Sequence, residues 1–442
     1  MRSSARRAGR AALGFLLPAG LFAAAALPAG AQAHPRAAAA RAIVDGFAPE
    51  RLKRIDSVLQ RYVDQGRIAG AVGLVLRDGK VAYQVAVGWA DREAKRPMTA
   101  DAIFRIASQS KAITSAAALS LVEEGRIGLG DPVSRWIPTF AHTTVANKTD
   151  TGVVLVPARR QIVIRDLLTH TAGVSYGGEA ALAPLYAPKG LGSARGAYAW
   201  YTADKDEPVC DTMDRLGTLP MAQQPGSAWV YGYSLDILGC VVERAAGEPL
   251  DRFVEERITG PLDMRDTRFF LPKDQRARLA AVYTQDSTGR AVRAPDGPLG
   301  QGDYVDGPRR NFAGGAGLLS TARDYARFLE TIRNGGVSNG VRILAPHTVA
   351  LMTTNQVGTL YRTDGTRGFG LGFETTERYG GTGMASVGSF GWGGAYGTGY
   401  RVDPKERLVW VLMLQMAPYM DDGIHDAFET AVYQALVSSV TN

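Results

Sequence analysis

Histidine is scarce in this chain of 442 residues, and its scarcity narrows the chemistry available to the protein. The five histidines are His34, His142, His170, His347 and His425. A G-x-S-x-G match stands at 173–177, but a nucleophilic serine in that motif needs a strand before it, a helix after it and a distant histidine partner. Here a helix-like segment, 162–170, precedes Ser175, and His170 is too near in sequence to be that partner. We therefore interpret the match as a turn and expect a nucleophilic serine to use another base.

Cysteine is scarcer still, since the chain contains Cys210 and Cys240 alone. Their spacing is not that of a zinc site, and no cluster of histidine, cysteine, aspartate and glutamate has metal-ligand spacing. The sequence also lacks a glycine-rich phosphate loop and a dinucleotide-binding fingerprint. We predict no metal ion and no cofactor. The two cysteines either form a disulfide or remain buried thiols, and the sequence leaves both alternatives open.

Long apolar runs are missing from the chain after its N-terminal region, and no later segment could cross a bilayer. Residues 11–27 are apolar, but glycine and proline interrupt them, four arginines precede them, and Ala31-Gln32-Ala33 follows. That order predicts a signal peptide at 1–33, cleaved near Ala33, and export to the periplasm or secretion from the cell. Residues 34–46 are then expected to form a disordered lead-in.

The chain also has no large excess of positive or negative charge. The formal charge is +7, and four of these positive charges are arginines of the predicted signal peptide. So small a remainder does not indicate a nucleic acid or an anionic membrane as partner. We expect a small-molecule substrate, and the sequence leaves the oligomeric state open.

Strand and helix patterns occur at both ends of the chain, and the middle is mostly helical. The predicted elements are a helix at 49–65, strands at 68–77 and 80–88, a polar loop at 89–100, strands at 385–390, 397–403 and 407–416, and a helix at 424–437. We predict an α/β fold of the α+β kind, with an antiparallel sheet flanked by the N- and C-terminal helices and a mostly helical inserted subdomain. The domain covers 47–442, with a sheet lobe at about 47–100 and 335–442 and a helical lobe at about 101–334.

A serine and a lysine lie three residues apart in the sequence IASQSKAIT at 106–114. If the apolar run that follows is a helix, Ser108 and Lys111 share one face near its N-terminus. A serine hydroxyl needs a base, and a lysine can act as that base when burial lowers its pKa. Because Ser-x-x-Lys is common by chance, this pair depends on partners elsewhere in the chain.

Two further stretches contain suitable partners. Residues 225–239 read PGSAWVYGYSLDILG, and a tyrosine hydroxyl can pass a proton between a lysine and a leaving group. Residues 388–399 read GSFGWGGAYGTG, and glycines at a strand edge let a substrate carbonyl approach a backbone N–H. Such an N–H can complete an oxyanion hole.

These motifs, in this order, resemble those of the serine β-lactamase and penicillin-binding-protein superfamily, and the chain is most similar to class C-like β-lactamases and family VIII carboxylesterases. LLTHTAG at 167–173, PLDM at 261–264 and GGAGL at 314–318 add to the resemblance. It covers nearly the whole chain after the predicted signal peptide, and it implies the β-lactamase and DD-peptidase fold.

The resemblance implies a role for several residues. Ser108 would be the acylated nucleophile, Lys111 its general base and Tyr231 the residue that carries the proton to the leaving group. The N–H groups of Ser108 and Ala395 would form the oxyanion hole. The implied substrate-binding residues are Tyr233, Trp392, Gly393 and Gly394. For His170 the resemblance implies a structural role.

Two departures from the β-lactamase pattern indicate the substrate. Tyr233 takes the place of an asparagine that binds a substrate amide, and Trp392-Gly393-Gly394 stands where β-lactamases carry Lys-Thr-Gly. A site without that lysine loses much of its preference for a carboxylate-bearing substrate. The resemblance therefore implies a serine hydrolase that cleaves carboxylic esters. The alternatives are a β-lactamase, D-aminopeptidase or amide hydrolase with the same site, or an inactive penicillin-binding-like protein.

Overall fold

A computed structural model describes residues 45–150, 152–192, 204–297, 300–419 and 423–438. The predicted signal peptide and residues 34–44 of the lead-in lie outside these ranges, so both remain predictions. None of the helices within the ranges combines the length and the hydrophobicity that crossing a bilayer requires.

Helices and strands alternate along the described chain. The helices are α1 (Pro49–Leu52), α2 (Arg54–Asp64), α3 (Ser110–Glu123), α4 (Ile164–Leu168), α5 (Ala183–Tyr186), α6 (Val209–Leu216), α7 (Ser234–Ala246), α8 (Leu250–Val254), α9 (Ala322–Arg333), α10 (Pro346–Thr353) and α11 (Ile424–Tyr433). The strands are β1 (Gly70–Arg77), β2 (Lys80–Asp91), β3 (Arg96–Pro97), β4 (Phe104–Arg105), β5 (Thr144–Thr149), β6 (Gly152–Pro157), β7 (Tyr283–Gln285), β8 (Ala291–Arg293), β9 (Leu319–Ser320), β10 (Val337–Ser338), β11 (Val341–Arg342), β12 (Arg367–Phe369), β13 (Glu374–Thr376), β14 (Phe390–Gly393), β15 (Gly399–Asp403) and β16 (Leu408–Met413).

Eight strands form one antiparallel sheet in the order β12-β13-β14-β15-β16-β1-β2-β3. β1 pairs with β16, with Val72 opposite Met413, so the two ends of the chain meet within the sheet. Successive side chains of β1 alternate between the two faces, so Val72 and Leu74 join one apolar cluster and Ala71 and Val75 join another. Burial on both faces explains why β1 is apolar along nearly its whole length.

Helices cover both faces of the sheet. On one face Ile55 and Leu59 of α2 share an apolar cluster with Trp410 of β16 and Phe428 of α11. On the other face lie α9 and the helices of the middle of the chain. Among these, α3 is buried from Ser110 to Leu121, because its alanines and small polar residues let neighbours approach on every side. The predicted α+β class is confirmed.

The hairpin of β1 and β2, joined through Asp78-Gly79, confirms one prediction, but other predicted boundaries are wrong. β2 continues to Asp91 and pairs with β3, where we predicted a polar loop. The strand predicted at 385–390 begins only at Phe390. Before it, Ser386 N–H donates to the Asp403 carboxylate, and Gly388, with a φ of 87°, turns the chain into the strand while its N–H donates to the Thr376 carbonyl of β13.

A second hairpin, β5 and β6, interrupts the predicted helical region. Its residues are mostly exposed, and only Val145 of β5 is buried. Neither strand alternates apolar and polar residues, so the period that marks a half-buried strand is absent, and we did not predict the hairpin.

Cys210 in α6 and Cys240 in α7 form a disulfide, so the first of the two alternatives is correct. The two residues are 30 apart in sequence. Closing a loop of this length stabilises a fold by about 3 to 4 kcal/mol, chiefly by restricting the unfolded chain. The bridge anchors α7, whose first residues belong to the second motif at 225–239.

Candidate active site

Ser108 lies in a single 3₁₀ turn, Ala107–Gln109, between β4 and α3. Ala107 has a φ of 44°, in the left-handed region that residues other than glycine rarely adopt. Such a conformation costs about 1 to 3 kcal/mol and persists only where the surroundings enforce it. The turn places Ser108, which is 5% exposed, in the wall of an open cavity.

Lys111 is the second residue of α3 and is 2% exposed. Its Nζ lies 3.1 Å from Ser108 Oγ, 3.2 Å from the Tyr176 hydroxyl and 2.7 Å from the Gly315 carbonyl oxygen. Three such partners match the three N–H donors of an ammonium, and the serine is within reach of a proton transfer. The structure therefore brings together the serine and lysine of the first motif.

Tyr176 is a residue of this site that the sequence analysis did not identify. Its hydroxyl accepts a hydrogen bond from Lys111 Nζ, and its ring packs edge-on against the ring of Tyr231, with 5.7 Å between the ring centres. Burial, followed by the neighbouring tyrosines and Asp236, holds the pKa of Tyr176 well above its usual value, so the phenol stays protonated. Tyr176 belongs to the G-x-S-x-G match, and no spacing in the sequence connects that segment to Lys111.

Tyr231 was expected to act directly with Lys111, but the hydroxyl that Lys111 contacts is that of Tyr176. Lys111 Nζ is 4.7 Å from the centre of the Tyr231 ring, over its face, and makes no hydrogen bond to its hydroxyl. Trp392 Nε1 donates to that hydroxyl at 3.2 Å. The polar groups therefore form a row from Ser108 through Lys111, Tyr176 and Tyr231 to Trp392.

The turn between β14 and β15 brings Ala395 to the same cavity. A Cβ on Gly394 would lie 2.4 Å from the carbonyl oxygen of Ile106, so only glycine allows this turn to approach the nucleophile segment. Within the described residues, no carbonyl or side chain accepts a hydrogen bond from Ala395 N–H. A free N–H beside the serine is what an oxyanion hole requires.

Tyr233 and His170 stand behind the cavity wall. Tyr233 is 1% exposed, its ring packs edge-on against Tyr176, and its hydroxyl accepts a hydrogen bond from Gly192 N–H. It supports Tyr176 and does not line the cavity, where we expected it. The His170 ring is fully buried and lies 4.8 Å from the Tyr231 ring. Burial, followed by the charge of Lys111, holds the pKa of His170 well below its usual value, which fits a structural role.

Ser175, the serine of the G-x-S-x-G match, takes part in a local turn. Its hydroxyl donates to the Glu179 carboxylate at 2.8 Å and accepts a hydrogen bond from Gly177 N–H at 2.9 Å. No histidine is among these partners. The geometry agrees with the interpretation of this segment as a turn.

The cavity next to Ser108 has a volume of about 880 Å³. The aromatic residues that line it are Tyr176, Tyr231, Tyr361, Trp392, Tyr400, Trp410 and Tyr419. Phe369 packs edge-on against Trp392 at 5.5 Å and supports this wall from behind. A ligand that reaches Ser108 therefore lies against aromatic rings, and the third motif provides no cation.

Charged groups line another part of the same cavity, beside α11. Glu374 accepts hydrogen bonds from Arg367 at 3.0 Å and from Arg401 at 3.4 Å, so both guanidinium groups are paired. Glu429 lies 3.9 Å from Arg401, and burial raises the pKa of this carboxyl to about 7. No cluster of histidine, cysteine, aspartate and glutamate within the described ranges could hold a metal ion.

Residues 55–435 match the family model described as Beta-lactamase. The chain belongs to the β-lactamase family. The family inferred from the motifs is thereby confirmed. The fold and the serine hydrolase class that the motifs imply are those of this family.

Relatives of this β-lactamase-family chain include esterases. Esterase EstB of Burkholderia gladioli is 34% identical over 400 residues, which cover 86% of this chain and 94% of EstB. Lovastatin esterase of Penicillium rubens is 31% identical over 313 residues, covering 69% of this chain and 73% of that enzyme. The solved structure of EstCE1, a hydrolase with promiscuous acyltransferase activity, is 31% identical with a TM-score of 0.73, and the match covers 87% of this chain and 99% of EstCE1. This β-lactamase-family protein is an enzyme of the serine hydrolase superfamily with esterase homologues.

Proposed function

We propose that this enzyme is an exported carboxylesterase that forms an acyl-enzyme on Ser108. The observation that carries the proposal is the Lys111 amine 3.1 Å from Ser108 Oγ, next to a wall of aromatic rings without a free cation. Similarity to EstB, lovastatin esterase and EstCE1 supports the substrate class. Export is inferred from the predicted signal peptide, and N-terminal sequencing of the exported protein tests cleavage after Ala33.

In the acylation half of the reaction, neutral Lys111 accepts the Ser108 proton as Oγ attacks the ester carbonyl. The N–H groups of Ser108 and Ala395 donate to the oxyanion of the tetrahedral intermediate. A proton then moves from Lys111 to Tyr176, from Tyr176 to Tyr231, and from Tyr231 to the leaving oxygen as the C–O bond breaks. The products of this half are an alcohol and a Ser108 ester.

In the deacylation half, water takes the place of the alcohol. It loses its proton along the same row of groups as it attacks the acyl carbonyl. Collapse of the second tetrahedral intermediate returns a proton to Ser108 Oγ and releases the carboxylic acid. Lys111 is then neutral again, so the protons balance over the cycle.

An ester suits this site better than a β-lactam for two reasons. The leaving group of an ester departs as an alcohol and needs less assistance from a proton donor than an amide nitrogen. The carboxylate of a β-lactam would meet Trp392, because the arginines beside α11 are already paired with Glu374. Leaving a carboxylate unpaired against a ring disfavours binding.

We expect kcat/KM for a short-chain nitrophenyl ester to exceed that for a chromogenic cephalosporin by about 100-fold or more. Trp392→Lys should narrow this ratio, because it restores a cation where the β-lactam carboxylate would lie. Trp89→Lys is the matched control, since Trp89 is 38% exposed and lies on β2, outside the cavity. A wild-type enzyme that hydrolyses the cephalosporin as fast as the ester would instead be a β-lactamase.

We expect Tyr176→Phe and Tyr231→Phe each to lower kcat by about 100- to 10⁴-fold, because each removes one hydroxyl from the row that carries the proton. The double variant should be little worse than either single one, since the row works as a unit. Tyr233→Phe is the control, and its kcat should change by less than about tenfold. Full activity of Tyr176→Phe would mean that Tyr231 alone carries the proton from Lys111 to the leaving oxygen.

Acyl transfer to an alcohol is a second candidate function. Tyr361 and Trp392 both line the cavity, with 6.4 Å between their ring centres, and the aromatic wall they form suits an aromatic alcohol in place of water. Incubation with a vinyl ester and benzyl alcohol should then give the benzyl ester in addition to the free acid. Release of free acid alone would leave hydrolysis as the sole activity.

A further inference from the structure

Asp236 is a buried acid near Lys111 that the mechanism above does not use. It lies in α7, five residues after Tyr231, and is 4% exposed. Its Oδ1 accepts a hydrogen bond from Gly315 N–H at 3.0 Å. No arginine, lysine or histidine in the described part of the chain forms an ion pair with it within 4.0 Å, so its ionised form depends on more distant charge.

The backbone of Gly315 connects this acid to the lysine. Its N–H donates to Asp236 and its carbonyl oxygen accepts from Lys111 Nζ at 2.7 Å. A Cβ on residue 315 would lie 2.4 Å from Asp236 Oδ2, so glycine is required for this close approach. The acid and the base therefore hold the two sides of one residue.

Charge connects the two groups as well. Burial raises the pKa of Asp236 to about 6, while the nearby ammonium of Lys111 and the Gly315 N–H oppose that rise. The other titratable groups near Asp236 are Tyr176 and Tyr233, and the pKa of each is raised, so both are neutral phenols at neutral pH. Lys111 also faces the ring of Tyr231 and the neutral His170. Asp236 is thus the acid that the geometry places to balance the ammonium.

We propose that Asp236 is a positioning residue that holds Lys111 in place through the Gly315 backbone and sets the pH at which Lys111 becomes a free base. The second part rests on the proposed function, in which Lys111 must be neutral to accept the Ser108 proton. An ionised Asp236 stabilises the ammonium, so its removal lowers the pKa of Lys111. Because Asp236 is itself protonated below about pH 6, its influence on Lys111 is present above that pH and fades below it.

The test is a carbon-13 NMR titration of Lys111 Cε in protein labelled at lysine, with the resonance assigned from Lys111→Met. Asp236→Asn keeps an oxygen that can accept from Gly315 N–H and removes only the charge. We expect the pKa of Lys111 to fall by about one unit in Asp236→Asn. Asp324→Asn is the matched control, because Asp324 is also a buried acid that accepts a backbone N–H, from Asp266. An unchanged Lys111 pKa, or an equal fall in both variants, would overturn the proposal.

A reciprocal measurement covers the case in which Asp236→Asn does not fold. Coupling between two sites is the same from either side, so Lys111→Met should raise the pKa of the Asp236 carboxyl by about the same one unit. Carbon-13 labelling of aspartate measures the pKa of the Asp236 carboxyl in the Lys111→Met protein. A carboxyl pKa equal to that of the wild type would contradict the inference. Neither titration uses a substrate, so a lack of esterase activity would count against the proposed function and not against this coupling.

Kinetics distinguish charge from position. In Asp236→Asn the acid limb of the kcat/KM profile should move to lower pH by about one unit, with kcat at its plateau reduced less than about tenfold. Asp236→Ala removes the acceptor of Gly315 N–H as well, so its plateau kcat should fall by a further tenfold or more at unchanged KM. An acid limb at the wild-type position in Asp236→Asn would contradict the role of the charge.

Discussion

Ser108→Ala should lower kcat/KM for a short-chain nitrophenyl ester by at least about 10⁴-fold. The variant loses the oxygen that forms the acyl-enzyme, while Lys111 and the oxyanion donors remain. Because Ser108 is 5% exposed and the substitution removes one oxygen atom, the fold should survive, and circular dichroism checks this. Intact-mass analysis after treatment with a fluorophosphonate should show one adduct on the wild-type protein and none on Ser108→Ala.

Ser175→Ala is the matched control for this result. Ser175 occupies the serine position of G-x-S-x-G, and its hydroxyl takes part in a turn with Glu179 and Gly177. We expect it to retain the adduct and to lose less than about tenfold in kcat/KM. A Ser108→Ala enzyme that keeps its activity, with Ser175→Ala inactive, would transfer the nucleophile to the other motif. A wild-type protein that forms no adduct would favour the inactive penicillin-binding-like alternative.

Lys111→Met should lower kcat by about 10³-fold or more and should prevent the fluorophosphonate adduct on the time scale at which the wild type is labelled. Methionine has about the length of the lysine side chain and fills the same buried space, so the loss reflects the missing amine. Without that amine, no group in the described structure lies within hydrogen-bond reach of Ser108 Oγ as a base.

Lys111→Arg separates the charge of this residue from its basicity. A guanidinium keeps the positive charge near Gly315 and Tyr176, but it does not give up its proton in a protein. We expect the arginine variant to be as inactive as the methionine variant. Activity within tenfold of wild type in Lys111→Arg would mean that the lysine acts by its charge, and proton acceptance would then have to lie elsewhere.

Patterns within a short stretch of sequence predicted the elements that form from neighbouring residues. The Asp78-Gly79 turn between two apolar runs predicted the hairpin of β1 and β2, and β1 is apolar because both of its faces are buried. The pairing of β1 with β16 joins residues far apart in the chain, and no local signal predicts it. The only argument for it was that strands from both ends of the chain are most simply joined in one sheet. The hairpin of β5 and β6 was missed because neither strand alternates apolar and polar residues.

The site shows the same division. Ser108 and Lys111 could be paired from their spacing, because one turn of backbone holds them together. Tyr176 could not, since its approach to Lys111 is produced by the packing of a loop against α3, and no spacing rule describes that. Tyr233 was placed at the substrate, but its N-cap position in α7 turns the side chain behind Tyr176. Motifs thus identify residues that share an element, and packing decides which of their neighbours reach them.

The pairing of Val72 with Met413 makes an active site depend on the presence of β16, near the end of the chain. The serine, the lysine and both tyrosines all precede β14 and the strands beside it in the sequence. Until β16 emerges, β1 lacks the neighbour that supports β15 and the Gly394–Ala395 turn, so the oxyanion hole has no scaffold. Chains truncated before β16 should therefore be inert, however much of the site they already contain.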